Sequence, residues 1–297
     1  MRLVKRRPFH DVEAYEMGWS PAGPPMMTVH FFVVDGLVID TGQPHMEKAC
    51  LEILRDRRLE GVLLTHYHED HSGNAAAVKS ALGIPVMGDA RTAEKMERAQ
   101  RLLPYQHFMW GRASPVAVTP FPRLIETGHT KLIPVHTPGH SKDHTAYWEP
   151  DKGWLFSGDL YLGDRVKYFR ADEKIADEIS SLKKVLALDF EALFCSHRPM
   201  PRGGKRRIEA KLSFLEDFYG KVARLWHKGM HERAIMRALQ LKEDRVIQWM
   251  CFGNVSMRQM VRSVIHAETA HRAEMLVPAN PVSRTDGQAR RPIQTEL

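Results

Sequence analysis

"LLTHYHEDHSGN" (residues 63–74) packs three histidines and two acids into the six positions from His66 to His71. The run before it, "GVLLT" (61–65), is apolar and opens on a glycine, which is the pattern of a short buried strand. The residues after it, "SGNAAAVKSAL", have the composition of a helix start. The histidines therefore fall on a loop leaving a strand end, where α/β proteins place their chemistry. His66 and His68 are two apart and point the same way in an extended turn. Asp70 and His71 lie beyond the bend and can face a second position. Neutral imidazole and carboxylate are the ligands that zinc and similar divalent ions prefer.

Two ions need further ligands, and three other strand ends can supply them. "HTPGHSKDH" (136–144) follows the strand-like "KLIPV", and its Pro-Gly turn pushes His140 into a loop. "LFSGDLY" (155–161) sets Asp159 after an apolar run and a glycine, and "LFCSHRP" (193–199) does the same for His197. A carboxylate can offer one oxygen to each of two cations, so an aspartate suits a shared position. His136 and His144 compete with His140 for the third loop.

Around these loops the pattern is layered. "TVHFFVVDGLVIDT" (28–41) predicts two strands about an Asp-Gly turn. A helix follows over "PHMEKACLEILRD", then the 61–65 strand, a helix and the strand "IPVMGD". Residues 91–125 read as helical and irregular. "TAYWEPDKGWLFSGD" predicts a hairpin, "DEKIADEISSLKKVLAL" an amphipathic helix and "FEALFCSH" a last strand. This is a layered α/β core over residues 1–200. From 201 to 277 the periods are helical with no strand pattern, and Ser256 with Gln259 predicts a capping box. The polar, Pro-containing stretch 278–297 is expected to be a disordered tail.

His66-x-His68-x-Asp70-His71, then "TPGHS", "SGD" and a late strand-end histidine, resembles the metallo-β-lactamase superfamily, in particular its glyoxalase II-like hydrolases. The resemblance covers roughly residues 28–200. It implies an αββα sandwich and two divalent metal ions, zinc foremost, with iron or manganese as alternatives. It implies one ion on His66, His68 and His140, picking the histidine directly after Pro-Gly. The other ion would sit on Asp70, His71 and His197, with Asp159 bridging. The chain departs from the usual Gly-His at the last position, having Ser196-His197.

The expected reaction is hydrolysis of an ester, thioester or lactone by a metal-bridging hydroxide that Asp70 orients. No Gly-x-Ser-x-Gly motif offers a covalent alternative. Asp40 and Thr65 are expected to brace the loops, and His144 to orient a ligand or touch substrate. Tyr161, Lys167, Tyr168 and Arg170, which follow Asp159, are candidates to grip a substrate carboxylate or phosphate. A phosphodiesterase or nuclease of the same fold is the alternative, as is a non-hydrolytic iron oxidoreductase or regulatory member. His68 argues against the flavodiiron type, which carries glutamate there.

The 297 residues carry a formal charge of +7, yet the basic clusters at 5–7 and 202–207 lack interleaved aromatics. A small-molecule substrate is thus expected rather than a nucleic acid. No apolar run reaches the ~18 residues of a membrane span, and the basic N-terminus lacks a signal peptide's apolar stretch. Cys50, Cys195 and Cys251 are odd in number and widely spaced, which fits a reduced, cytoplasmic setting. The helical segment, with its Met-rich faces, is expected to shape the substrate pocket, or else to pair two copies as a homodimer.

Overall fold

The run at 29–34 is buried along its whole length. Phe31 and Val33 face one apolar cluster while Phe32 and Val34 face another. A strand covered on both faces needs layers on both sides. The computed structural model, which describes residues 1–276, supplies them as helices, two sheets and helices again.

The first sheet runs β1 (Arg2–Phe9), β2 (Val12–Trp19), β3 (Val29–Val34), β4 (Leu37–Ile39), β5 (Gly61–Leu63), β6 (Val86–Gly88) and β7 (Thr119–Pro120), in that spatial order. It is antiparallel as far as β4 and parallel from β4 onward. The second sheet holds β8 (Ile125–Glu126), β9 (Lys131–His136), β10 (Thr145–Glu149) and β11 (Trp154–Gly158); β12 (Phe169–Arg170) lies apart, and β13 (Ala192–Cys195) returns beside β11. Phe32, Ile39, Tyr147, Phe156 and Phe194 fill the space between the two sheets. Helices α1 (Glu47–Leu54), α2 (Glu69–Ser72), α3 (Ala75–Leu82), α4 (Ala90–Met96) and α5 (Pro104–Met109) belong to the first half. Cys50, Leu54, Ala75 and Val78 of α1 and α3 pack on the outer face of the first sheet.

Helix α6 (Ile175–Leu186) covers the second sheet, and the C-terminal helices continue that layer: α7 (Gly204–His227), α8 (Glu232–Ala238), α9 (Arg245–Met250) and α10 (Met257–Leu276). Ile208, Leu215, Met260 and Val264 share one apolar cluster with Leu182 and Leu193. Lys211 of α7 is fully buried, donating to the Leu160 carbonyl (2.7 Å) and pairing with Glu178 of α6 (2.5 Å). The helical segment is therefore built into the core beside Asp159. Among the described residues no helix is long and apolar enough to cross a membrane.

Three findings add to or alter the sequence reading. First, the N-terminal stretch, whose pattern assigns no element, forms β1 and β2 around a His10–Asp11 turn with His10 at φ 55°. β1 is an exposed, charged edge without alternating burial, and charged edges of this kind discourage further pairing. Secondly, a strand does interrupt the helical segment: β14 (Val255–Ser256) pairs with β12. Thirdly, the capping box is half made. Ser256 Oγ accepts from Gln259 N (3.2 Å), while the Gln259 amide turns to the Gly253 carbonyl. The expected tail at 278–297 lies outside the described residues.

The start of β2 is pinned by Arg57, whose guanidinium donates to both Glu13 oxygens (2.8 and 2.9 Å). That contact, against the opposing pull of burial and with help from the Tyr15 hydroxyl and Arg6, lowers the Glu13 carboxyl from its ordinary 4.5 to about 2. A carboxyl lowered in the folded state adds stability above its unfolded value and loses it as pH falls through about 2. Glu13→Gln is expected to cost about 1 kcal/mol at neutral pH. In urea melts, the difference from wild type should close between pH 4.5 and 2; a difference independent of pH would contradict this.

Candidate metal centre

Parallel pairing of β4 with β5 brings Asp40 and Thr65 to the same sheet edge. Asp40 accepts from Thr65 N (2.8 Å), from Thr65 Oγ1 (2.8 Å) and from His71 Nδ1 (2.8 Å). With its Nδ1–H on Asp40, His71 must present Nε2 inward. Thr65 Oγ1, its own proton spent on Asp40, accepts from His66 Nδ1 (3.0 Å) and turns His66 Nε2 inward as well. His140 Nδ1 is held by Glu173 (2.7 Å) and His197 Nδ1 by the Thr28 carbonyl (2.7 Å). Each outer partner fixes a tautomer, the usual device for orienting a metal ligand.

Two groups of inward atoms result, each with its members within 4.8 Å of one another: His66, His68 and His140, and Asp70, His71, Asp159 and His197. His68 Nδ1 lies 2.8 Å from His66 Nε2 and 3.0 Å from His140 Nε2. Asp159 stands between the groups. Its Oδ2 is 3.4 Å from His140 Nε2, and its Oδ1 is 3.3 and 3.5 Å from the Nε2 atoms of His71 and His197. Asp70 Oδ2 completes the second group, 3.7 Å from His71 and 3.8 Å from His197.

This donor set fits two cations. In the first group, burial together with the other imidazoles pushes the His66 pKa well below its usual range. Burial, with the Arg170 charge adding to it, does the same to His68. His66 and His140 have given their Nδ1 protons outward and so turn Nε2 toward His68 Nδ1 at 2.8 and 3.0 Å, while Glu173, against the opposing pull of burial, raises the His140 pKa. In the second group, burial opposes charge on His71, but the carboxylates around it, Asp159 first, push its pKa well above the usual range. His71 Nε2 and Asp159 Oδ1, buried and 3.3 Å apart, make no well-directed hydrogen bond to each other or to any other group. Unpartnered buried polar atoms are costly, and a divalent ion satisfies lone pairs and carboxylates together.

Glycines hold the loops close. A Cβ on Gly139 (φ 141°) would meet the Glu178 Cα at 2.5 Å, so only glycine lets the His140 loop rest on α6. A Cβ on Gly158 (φ 47°) would meet His144 Nε2 at 2.7 Å. His144 is fully buried with both nitrogens committed: Nε2 accepts from Asp159 N (3.1 Å) and Nδ1 faces Thr137 Oγ1 (2.8 Å). Burial lowers its pKa to about 3, so it is a neutral ring that positions Asp159.

A cavity of about 560 Å³ opens beside both groups. His68, Asp70, His140, Asp159 and His197 face it, as do Tyr168 and Arg170. Tyr161 and Lys167, expected from sequence near substrate, do not line it. Tyr161 is buried in the second-sheet core with its hydroxyl on Asp164 (2.6 Å), and Lys167 is exposed on the outside of its loop. Sequence reading missed Glu173, an ordinary acid ahead of α6. It also missed the wall of Tyr105 and Met109 from α5 and Trp110 just past its end, in a region without clear period.

A β-β sandwich flanked by helices, with two adjoining His/Asp groups at one sheet edge, defines the class, and comparison with known proteins agrees. Residues 29–197 match the family model of the metallo-beta-lactamase superfamily, and the chain belongs to that superfamily. It is 25% identical over 217 residues to the beta-lactamase-like protein 2 homolog of Caenorhabditis elegans, covering 70% of this chain and 63% of the relative. It is 31% identical over 163 residues to a hydroxyacylglutathione hydrolase of Pseudomonas aeruginosa (strain LESB58), covering 54% of this chain and 55% of the relative. The chain thus spans less than two thirds of the length of these curated relatives. Among solved structures, a beta-lactamase domain protein from Burkholderia ambifaria superposes with a TM-score of 0.62 at 15% identity, covering 90% of this chain and 89% of the other. At that identity the likeness concerns the fold alone.

The two kinds of residue are separable by substitution. Asp159→Ala removes the carboxylate between the groups and is expected to lower bound metal by at least one ion per chain. His144→Ala should keep both ions in protein purified with metal present, because its nitrogens face the Asp159 backbone and Thr137 and neither is turned to the two groups. Elemental analysis of both variants checks this, and equal losses would contradict the division.

Proposed function

We propose that the protein is a dinuclear metal-dependent hydrolase of esters, thioesters or lactones, and that the ligand sets are those of the two groups above. The observation that carries the reading is Asp159, with one carboxylate oxygen toward each group. When bound there, two divalent ions would supply Lewis acidity and lower the pKa of a water toward about 7. Zinc is our first assignment, and the same imidazole-carboxylate set accepts iron or manganese.

The chain's own residues do the rest. Asp70, its Oδ2 near both His71 and His197, is placed to accept a proton from the attacking water and aim its lone pair. His66, His71 and His140 are held rigid by Thr65, Asp40 and Glu173, so little reorganisation accompanies charge development. Arg170 keeps Nε on Asp172 (3.2 Å), and no hydrogen bond within the described residues engages its terminal nitrogens, which leaves them for a substrate oxygen. Met27, Met109, Leu162, Ile247 and Met250 exclude water from the other walls and favour an apolar acyl group. The catalytic role belongs to residues 1–200, and the wall formed by Ile247, Met250, Cys251 and Val255 to the helical segment 201–277.

This lining argues against the phosphodiesterase reading, since Arg170 is the single lysine or arginine among the lining residues and a polynucleotide needs a basic track. The relatives named hydroxyacylglutathione hydrolase favour a thioester. All three cysteines are buried and unpaired, which supports a reducing, cytoplasmic setting. A panel of thioester, lactone, aryl ester and phosphodiester substrates tests the assignment. Turnover of acyl substrates is expected, with loss of activity on chelation and recovery on adding Zn²⁺. Turnover confined to phosphodiesters would contradict it.

A further inference from the structure

Helix α9 has the sequence Arg-Val-Ile-Gln-Trp-Met, and none of its residues is buried. Ile247, Met250 and Cys251, spaced three and four apart, share one face and line the cavity. Val246 and Trp249 lie off that face at 71% and 83% exposure, with Phe252 just beyond the helix at 69%. A helix apolar on two faces is ordinarily an interior helix. Phe252 is also left-handed (φ 52°), a conformation that bulky residues avoid and that here holds an aromatic ring out in water.

The opposite lip has the same character. Met26 (72% exposed) and Phe108 (58%) border a small hollow beside Met109 and Trp110 of the cavity wall, and Met27 and Leu162 are exposed on the lining itself. The lips are joined by Asn254, which donates to the Tyr105 hydroxyl (2.9 Å). Single exposed apolar side chains need no explanation, but a ring of them around one opening does.

Charge indicates what covers the ring. Lys242, Arg245 and Lys167 are exposed beside α9 and form no salt bridge among the described residues. Two acids neighbour them, Asp244, which caps α9 and accepts from the Tyr168 hydroxyl, and Glu243, which accepts from Met257 N and Arg258 N, so three cations stand beside two carboxylates and the face keeps a positive excess. A second copy meeting this face across a two-fold axis would set these cations against each other. Acidic lipid headgroups would complement them while the aromatics enter the acyl boundary.

We infer that the rim of the cavity is a docking surface for an anionic lipid bilayer. The enzyme rests on it with Trp249 and Phe252 inserted, and the apolar cavity opens directly onto the lipid phase. The surface stands whatever bond is cut; joined to the hydrolase reading, it means an acyl substrate drawn from the membrane.

The test is cosedimentation of the full chain with phosphatidylcholine vesicles, with and without 30 mol% phosphatidylglycerol. Wild type should partition at least tenfold more strongly onto the anionic vesicles, and 0.5 M NaCl should weaken it. The double variant Trp249→Gln/Phe252→Asn should lose at least tenfold in partitioning yet keep wild-type turnover of a short-chain, water-soluble thioester, because neither residue lines the cavity. Vesicle binding without thioester turnover would uphold the surface and count against the hydrolase reading alone. Absence of vesicle binding, binding undiminished in the variant, or a wild-type dimer in light scattering that the variant dissociates would each overturn the inference.

Discussion

Asp40 accepts three hydrogen bonds at the end of β4, and the candidate metal centre depends on them. Its backbone is left-handed (φ 60°), a cost of about 1 kcal/mol or more for a residue with a Cβ. In return its carboxylate fixes the first residue of the ligand loop and the ring of His71 at once. Through Thr65 the same constraint reaches His66. The β4–β5 pairing thus becomes the direction in which two imidazoles point, one in each group.

The candidate ligands arrive from separate strand ends, and each arrival is guarded by packing. Gly139 lets the His140 loop lie on α6, and Gly158 gives His144 room to hold the Asp159 backbone. The buried Lys211–Glu178 pair ties α7 to α6 and to the Leu160 carbonyl, one residue past Asp159. A buried pair of this kind is costly to break, because removing either partner strands the other charge. The helical segment therefore serves the centre twice, as cavity wall and as support for the Asp159 turn.

What the sequence disclosed followed from locality. His66, His68, Asp70 and His71 fall within six positions, so strand-then-bend geometry suffices to divide them between two groups. His140, Asp159 and His197 were legible because each follows an apolar run and a turn signal, and Ser196 in place of glycine did not displace His197 from its group. Glu173 was not legible, since its role comes from the meeting of two segments remote in sequence. Tyr161 was misplaced for a related reason: proximity to Asp159 in sequence says nothing of its side chain, which the core takes instead. β1 gave no signal because it is exposed along nearly its whole length and carries no period of two.

The central claim is that seven inward ligands, in two groups sharing Asp159, hold two ions. Elemental analysis of the full chain, purified without chelator and quantified by amino-acid analysis, tests it most directly. Close to two divalent ions per chain are expected, of whatever transition metal the cells supply. A fully folded, fully active protein with a single ion would contradict the account.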